Sequence, residues 1–337
     1  MFLINFLDRN STSDYVSAFE CIYAFEALFL IALLIVSYAV GTASWRSTFH
    51  LNIRLRIICI IIHSDISNAA RFSVLINQVF GPEHRETTNH TIIASLIREA
   101  FLAYFTTLAS IIALDRCAAL FSWSWYESGV SSTLAFFVMQ ESILIAVAWT
   151  MSYLTVYDYI TDMNLVQYCG GALLTGSILF ILIYRENLSE RRILRQGATV
   201  GSYAVARTFQ IRESIALMKM YSRIGPLVIF CAPEFVFYPA YTLLPHGDQW
   251  NFWRHLSIAL YDLWIGIISV VVLVCIPIVE PRIATNLPCI PQRLRQLLKN
   301  RNESQSFSVI KRTSSAEASM YFNMLERDLG RPSINRY

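Results

Sequence analysis

The sequence predicts an all-α protein, a bundle of seven transmembrane helices with the N-terminus outside and the C-terminus in the cytoplasm. Of its 337 residues, 55% are hydrophobic and only 15% are charged. Soluble domains average about 25% charged residues. Six stretches are predominantly apolar over about 20 residues, the length that crosses a hydrocarbon core roughly 30 Å thick. Because no water satisfies free backbone groups at the membrane centre, such stretches are expected to be helical.

The seventh span is weaker than the other six. It is required because the basic connecting segments then all fall on one side of the membrane. The predicted bundle covers 19–280, with spans at 19–43, 57–80, 92–116, 133–154, 166–184, 224–244 and 255–279.

The orientation follows from the positions of Lys and Arg. Most of them lie in segments 45–56, 185–223 and 282–301, whereas 155–165 has none. Basic loops remain in the cytoplasm, so these three segments are predicted to be inside. With seven spans, residues 1–18 then form an extracellular N-terminus.

Four Asn-x-Ser/Thr sequences test this orientation. Asn10 and Asn89 are on the predicted outer side and can be glycosylated, whereas Asn187 and Asn302 are on the cytoplasmic side and cannot.

The segment after the last span divides into two parts. In 281–300, Leu294, Leu297 and Leu298 share one side among basic residues, which predicts a juxtamembrane amphipathic helix on the inner leaflet. Residues 301–337 are polar and rich in Ser, so a disordered cytoplasmic tail is predicted.

The second span carries most of the polar residues inside the membrane. At 100° per residue, one arc of about 140° contains six of them. They are His63, Ser64, Ser67, Asn68, Arg71 and Gln78. The opposite face is apolar and contains Ile58, Ile62, Ile66, Ala69 and Ile76. Asp65 falls outside the polar arc and is expected either to meet a neighbouring helix or to lie near a kink.

Acidic residues occur inside the other spans. They are Glu26, Glu99, Glu141, Glu234 and Asp262. A charge at the helix centre costs about 2.5–3.5 kcal/mol on insertion scales, so each needs a partner or a water-filled cavity. One interpretation is that Arg71 and one of these acids form a buried pair or network. The functional alternative is a ligand contact or a switch that breaks on activation.

A ligand pocket is predicted in the outer half of the bundle. Its candidate residues are Arg98, Glu99, Tyr168, Phe237, Tyr238, Tyr241, His255, Tyr261, Asp262 and Trp264, beneath a lid of Trp250, Phe252 and Trp253. The alternative for the aromatic members is an anchoring belt at the membrane interface.

No sequence pattern indicates catalysis, a cofactor or a metal site. No two of the six histidines within one span have the i, i+3 or i, i+4 spacing that would bring both to one helix face. A Gly-rich phosphate loop and a Gly-x-Ser-x-Gly motif are also missing. The sequence therefore favours a receptor or channel over an enzyme.

The inner end of the third span contains the pair Asp115-Arg116. Rhodopsin-like receptors use an acid followed by Arg at this position, where the carboxylate holds the guanidinium at rest. The alternative is an Arg that extends to the membrane interface.

Two further motifs accompany that pair. Tyr126-Glu127 follows it, and 207–215 reads Arg-Thr-Phe-Gln-Ile-Arg-Glu-Ser-Ile. With these motifs, 19–298 resembles the nematode serpentine chemoreceptors of the Sre family, within the Sra superfamily. Three positions depart from the family pattern, namely Asp115 for Glu, Cys117 for an aromatic residue and Ser214 for Asn.

The resemblance implies a G-protein-coupled receptor in the plasma membrane of sensory neurons. The residues it assigns to G-protein coupling are Asp115, Arg116, Tyr126, Glu127, Arg207 and Arg212.

The segment that precedes the sixth span is predicted to be a helix. Residues 202–223 contain neither Pro nor Gly, and the helix would expose Arg207, Arg212, Lys219 and Arg223 in the cytoplasm. Such a surface can meet an acidic partner or anionic membrane lipid. The positive-inside bias explains the charges equally well.

Two functions are compatible with these features. The first is a chemosensory receptor that binds an external small molecule and activates a heterotrimeric G protein. The second is a ligand-gated cation channel of the gustatory-receptor type, which has its N-terminus inside, whereas the charge bias here places it outside. Membrane lipid is an expected partner in both cases, and nucleic acid is not.

Overall fold

The protein is helical throughout the part of the chain that its computed structural model describes. That part consists of residues 16–47, 49, 51–80, 89–121, 130–195, 211, 214–215, 217–220, 222–223, 234–245 and 247–288. Within these residues there is no strand. The helices are α1 (Val16–Trp45), α2 (Leu51–Phe80), α3 (Asn89–Phe121), α4 (Val130–Val156), α5 (Asp162–Arg195), α6 (Glu234–Leu243), α7 (Asp248–Val279) and α8 (Pro281–Ala284).

Six of these helices are long and apolar enough to cross a membrane, namely α1 to α5 and α7. Each overlaps one of the predicted spans and extends beyond it at one or both ends. The remaining predicted span, 224–244, overlaps α6, and its first part, 224–233, lies outside the described residues. The prediction of an all-helical membrane protein is therefore confirmed.

Helix α3 has the most central position in the bundle. It packs against α2, α4 and α5, while α1 packs against α2 and α7, and α6 packs against α7. We call the end of the bundle at the α1–α2 connection the inner end, following the predicted orientation, and the opposite end the outer end.

Large apolar side chains cover the outward faces of the helices. Among the most exposed are Leu28, Ile35 and Tyr38 on α1, Val138, Met139 and Ile143 on α4, and Leu174, Ile178 and Ile181 on α5. A soluble protein rarely exposes so many large apolar residues together, whereas lipid tails cover them in a bilayer.

Small residues bring α3 and α5 close together. Ala172 and Gly176 are four residues apart and so lie on one face of α5. A Cβ atom added at Gly176 would lie 2.8 Å from the Cβ of Ala109 and 2.9 Å from the backbone nitrogen of Ser110. The Ser110 hydroxyl donates a hydrogen bond to the Ala172 carbonyl at 3.3 Å. This α3–α5 seam has the small-residue packing that is common between membrane helices.

Helices α2 and α5 extend furthest beyond their predicted bounds at the inner end. Helix α2 begins at Leu51 rather than at 57, which makes Arg56 a buried helical residue instead of a loop residue. Helix α5 continues from the predicted end at 184 to Arg195. Its inner part packs through Tyr184 and Leu188 against neighbouring apolar residues. Packing thus maintains the helix after its apolar stretch has ended.

The described residues between 211 and 223, which we call segment 211–223, are helical as predicted. Lys219 and Arg223 are exposed, whereas Arg207 and Arg212 lie outside the described residues. The expectation of a cytoplasmic extension was incomplete, because the other face of the segment is buried in the bundle. Ile211 and Ile215 pack with Leu120 of α3. Met218 packs with Ala113 and Ile183, and Leu217 and Met220 pack with residues of α1, α2 and α7.

The chain turns sharply after α7. The Glu280 carboxylate accepts a hydrogen bond from the Arg282 backbone N–H at 3.2 Å, and the Arg282 guanidinium lies 4.2 Å from the ring centroid of Phe49. Within the predicted amphipathic helix 281–300, only Pro281–Ala284 is helical among the described residues. Residues 289–300, the predicted tail and residues 1–15 lie outside them.

Candidate functional site

The polar face of α2 points into the bundle. Ser64, Ser67, Asn68 and Arg71 are buried, and His63 is partly buried. On the opposite face Ile62, Ile66 and Ile76 are exposed by 49%, 50% and 45% of their surface. The prediction that α2 has a polar face towards the bundle and an apolar face opposite to it is therefore confirmed. The Gln78 side chain, which belongs to the predicted polar face, lies outside the described residues.

Asp65, which falls outside the polar face, meets a neighbouring helix. It is partly buried and lies next to Ser37 of α1. Of the two possibilities left open by the sequence, contact with another helix is therefore the one observed.

Four charged side chains form a buried chain across the bundle, which we call the outer charge network. It consists of Glu26 on α1, Arg71 on α2, Arg98 on α3 and Asp262 on α7. Glu26 accepts hydrogen bonds from Nε and Nη2 of Arg71, the second at 2.7 Å. Asp262 accepts from Arg98 and lies 3.1 Å from Nη2 of Arg71. Arg71 thus has the acidic partners that its burial requires, and two of them instead of one.

The network joins four helices in the membrane interior. Each member is at least 90% buried, and each lies roughly 14–21 Å along its helix from the outer end at 1.5 Å per residue. An isolated charge at such a depth is costly, so each ion depends on its neighbours. The network therefore constrains the mutual positions of α1, α2, α3 and α7.

A cavity of about 130 Å³ adjoins this network. Apolar side chains form most of its wall, and buried polar groups of α2, α3 and α7 form the rest. Its polar and aromatic lining consists of Ser64, Ser67, Asn68, Arg71, Arg98, Glu99, Phe101, Phe105, Tyr261, Asp262 and Ser269. A few convergent polar groups within apolar walls are typical of small-molecule sites.

The predicted pocket residues fall into two groups. Arg98, Glu99, Tyr261 and Asp262 line the cavity. Tyr168 and Tyr241 do not line it, and their assignment to a ligand pocket stays a prediction. The Tyr168 hydroxyl instead makes a 2.7 Å hydrogen bond with the Thr107 hydroxyl. The ring of Tyr241 lies 5.0 Å from the Arg254 guanidinium, because both occur near the outer ends of α6 and α7.

Other predicted pocket and lid residues also lie away from the cavity or outside the described part. Phe237, His255 and Trp264 do not line it. The ring of the predicted lid residue Phe252 packs against Phe19 with centroids 6.0 Å apart. The side chains of Tyr238 and Glu234 lie outside the described residues.

Several lining residues were not predicted as pocket residues. On α3, Phe101, Leu102 and Phe105 follow Arg98 at i+3, i+4 and i+7, the spacing of one helix face. That periodicity is visible in the sequence. It does not reveal that this face meets α2 and α7, because those contacts depend on the tertiary structure.

A second polar network links α2, α3 and α4. The Arg56 guanidinium donates to Glu141 at 2.5 Å and to the Gln140 side-chain oxygen at 2.7 Å. The Tyr104 hydroxyl donates to the other carboxylate oxygen of Glu141 at 2.6 Å. The ring of His63 stacks on Tyr104 with centroids 4.4 Å apart. These contacts give the in-span acid Glu141 a buried basic partner, as its depth requires.

Near the inner end of α3, Asp115 and Arg116 form an ion pair. Nε of Arg116 donates to Oδ2 of Asp115 at 3.1 Å, and Nη2 donates to the same oxygen at 2.5 Å. Arg116 is only 1% exposed and Asp115 is 8% exposed. Arg116 thus lies within the bundle instead of extending to the interface. Inner-end residues of α3 also pack against α5 and segment 211–223.

Four other residues are predicted to take part in coupling. Tyr126, Glu127, Arg207 and Arg212 lie outside the described residues. Of the predicted glycosylation sites, Asn89 is exposed at the first residue of α3, and Asn10 lies outside the described residues.

Comparison with known protein families agrees with this architecture. Residues 47–328, most of the chain, match the family described as Sre G protein-coupled chemoreceptor. No individually curated protein matches the chain. The matched family is a family of receptors and not an enzyme class, and its seven-helix architecture fits the observed bundle. The chain therefore belongs to the Sre family of G protein-coupled chemoreceptors.

Proposed function

We propose that this chain is a chemosensory receptor of the plasma membrane that binds an external small molecule and activates a heterotrimeric G protein. Membership of the Sre family is the observation that carries the proposal. Two features of the bundle support it, namely a cavity beside the outer charge network and a buried ion pair at the inner end.

The cavity is the proposed ligand site. Its walls come from α2, α3 and α7, with Leu30 of α1, and α1 and α2 contribute Glu26 and Arg71 to the adjoining charge network. A ligand bound there contacts the helices whose positions the network constrains. It activates the receptor only if it binds the active arrangement more tightly than the resting one.

The inner end is the proposed G-protein site. In the observed arrangement, segment 211–223 covers the inner parts of α3 and α5 through Ile211, Ile215 and Met218. Arg116 remains paired with Asp115 and is shielded from the cytoplasm. These contacts are expected of a resting receptor, and activation would separate segment 211–223 from α3. Tyr126, Glu127, Arg207 and Arg212 are proposed to take part in coupling.

Calcium imaging tests the receptor function directly. Cells that express the chain together with a promiscuous Gα subunit should respond to at least one compound in a panel of small chemicals. Cells that express the Arg116→Ala variant at the same surface level should not respond, because this residue is proposed to act in coupling.

An excised membrane patch separates the receptor from a ligand-gated cation channel. For a receptor, the evoked current in the patch should require GTP and should be abolished by a non-hydrolysable GDP analogue. A ligand-evoked current that persists with the analogue would contradict G-protein coupling and favour the channel.

A further inference from the structure

We propose that the cavity beside the outer charge network binds a small neutral molecule, specifically a compact apolar body with one oxygen atom that forms a hydrogen bond with the side-chain amide of Asn68. The inference rests on the proposed function in one respect, namely that this cavity is the receptor's ligand site. The buried amide, the surrounding charges, the apolar wall and the volume of the cavity each support this ligand class.

Asn68 has a buried polar group for which the bundle provides no hydrogen bond. Its side chain lines the cavity and is only 8% exposed, and its Nδ2 has no hydrogen-bond partner among the described residues. A buried donor without a partner is costly, and most buried polar groups in proteins are paired. Because Asn68 lines a cavity, a bound molecule with an oxygen acceptor can supply the missing partner.

The periodicity of α2 places Asn68 beside the outer charge network. Ser64 precedes Asn68 by four residues and Arg71 follows it by three, so the three side chains share one face of the helix. All three line the cavity. Arg71 is paired with Glu26 and Asp262. Asn68 therefore adds a neutral hydrogen-bonding group to a wall whose neighbouring charged group is already paired.

The charges around the cavity favour a neutral ligand. The two guanidinium groups of the outer charge network are in contact with its two carboxylates, so a charged ligand would have to compete with these ion pairs for a counter-charge. Glu99, which also lines the cavity, interacts with another group of the protein. The amide of Asn68 satisfies a hydrogen-bonding group but does not compensate a charge. An uncompensated charge is costly at this depth in the membrane.

The rest of the wall matches the apolar body of such a ligand. Phe101, Phe105 and Tyr261 contribute aromatic surface, and the ring centroids of Phe101 and Phe105 are 6.1 Å apart. Aliphatic side chains of α2, α3 and α7 complete the wall. Burial of an apolar body against these side chains contributes affinity without a preferred direction. The orientation of the ligand therefore depends on the polar group that it presents to Asn68.

The volume limits the size of the ligand. An engineered cavity of about 150 Å³ in another protein accommodates benzene. The present cavity, at about 130 Å³, therefore fits a compact molecule of roughly six to eight non-hydrogen atoms. Benzyl alcohol and ethylbenzene have the same number of non-hydrogen atoms and nearly the same shape. They differ in the hydroxyl group of the alcohol, which can form a hydrogen bond with an amide.

A thermodynamic cycle between this ligand pair and Asn68 provides the test. The Kd values of benzyl alcohol and ethylbenzene are measured at pH 7 in lipid nanodiscs for the wild-type receptor and for Asn68→Leu, which replaces the amide by an apolar group of similar size. Comparison of one ligand between two variants cancels its partition into lipid. We expect Asn68→Leu to weaken the binding of benzyl alcohol about tenfold and not to weaken the binding of ethylbenzene.

Two further measurements locate the effect. Asn77→Leu makes the same substitution at an exposed position of α2 that does not line the cavity, and it should leave both Kd values unchanged. With concentrations expressed in the lipid phase, the wild type should bind benzyl alcohol more tightly than ethylbenzene. At equal aqueous concentration, the charged analogues benzylamine and benzoate should bind more weakly than benzyl alcohol. The wild-type series tests the ligand class even if Asn68→Leu fails to fold.

The outcomes distinguish this inference from the proposed function. Equal weakening of both ligands in Asn68→Leu, unchanged binding of the alcohol, the same effect in Asn77→Leu, tighter binding of a charged analogue, or absence of binding by all the compounds would overturn the neutral-ligand site. Binding of benzyl alcohol that depends on Asn68 but causes no G-protein nucleotide exchange would support the site and contradict the proposed receptor function. Exchange driven by a compound whose Kd is unchanged in Asn68→Leu would support the receptor and overturn the role of Asn68.

Discussion

The outer charge network and the inner ion pair are both buried, but they connect different parts of the chain. The outer network draws Glu26, Arg71, Arg98 and Asp262 from four helices. The inner pair joins Asp115 and Arg116, which are neighbours in α3. Opening the first separates helices from one another, whereas the second is an ion pair within a single helix.

Because of this difference, we expect the loss of a charged side chain to have different consequences at the two sites. Removal of one member from a buried network leaves its partner as an uncompensated charge and costs about 3–5 kcal/mol. The outer network is therefore expected to be required for assembly of the bundle. The inner pair can open within a folded bundle, which is what a change of signalling state requires.

The largest expected effect is that of Arg71→Ala. The substitution removes the arginine that contacts Glu26 and one of the two arginines that contact Asp262. We therefore expect the free energy of unfolding to fall by about 3–5 kcal/mol and little of the protein to reach the cell surface. Flow cytometry of an N-terminal epitope on intact cells, with thermal unfolding of the purified protein, measures both quantities. Arg192→Ala, at an exposed position on α5, is the control. Normal surface expression and ligand response in Arg71→Ala would show that Arg71 is exposed to water and does not hold the network together.

The α3–α5 seam lies between these two regions along α3, and its packing can be tested by a single substitution. Gly176→Ala places a Cβ atom within 3 Å of Ala109 and Ser110, so overpacking should cost about 1–3 kcal/mol. Gly171→Ala is the matched control, because an added Cβ there has no atom within 4 Å. The melting temperature should fall for Gly176→Ala relative to Gly171→Ala. Equal melting temperatures would show that the two helices are not closely packed at this point.

The inner pair should affect signalling more than stability. A hydrogen bond to a charged group contributes about 1.5–3 kcal/mol, so Asp115→Asn should raise basal signalling about tenfold or more if the pair stabilises only the resting state. Arg116→Ala should lose G-protein output and retain ligand binding, because the cavity is at the other end. Basal nucleotide exchange and ligand Kd are measured at matched surface expression. Basal activity in Asp115→Asn that is no higher than in the wild type would contradict a restraining role for this pair.

Glycosylation tests the designation of outer and inner ends with the least disturbance of the protein. Asn10→Gln should reduce the mass by one glycan and leave signalling unchanged, and Asn89→Gln is expected to do the same. Asn302→Gln, in a sequence of the same type on the predicted inner side, should leave the mass unchanged. An epitope after Tyr337 should be accessible only in permeabilised cells. Its labelling on intact cells would reverse the two ends and contradict the coupling proposal.

The sequence was sufficient to predict the faces of individual helices. On α2, helical periodicity alone separates the buried Ser64, Ser67 and Arg71 from the exposed Ile62 and Ile66. Such a prediction succeeds because lipid and the bundle interior differ in polarity, and each helix must turn its polar side inward. The same reasoning identified Arg71 as a residue that needs an acidic partner.

Partner choice was not predictable in the same way. From the sequence, five acids are equally acceptable partners for Arg71, namely Glu26, Glu99, Glu141, Glu234 and Asp262. Arg56 is predicted to lie in a loop, because it precedes the apolar stretch. In the structure Arg56 is buried and pairs with Glu141, which leaves Arg71 to Glu26 and Asp262. These assignments depend on which helices are adjacent and on their relative height in the bundle.

The sequence by itself determined the membrane class, the approximate spans, the polar face of α2 and the resemblance that led to the Sre family. These properties depend on local composition, periodicity and short motifs. Only the tertiary structure decided that α3 is central, that segment 211–223 is buried against it, and that one cavity adjoins four paired charges. Those features arise from contacts between residues far apart in the chain, and no local pattern specifies them.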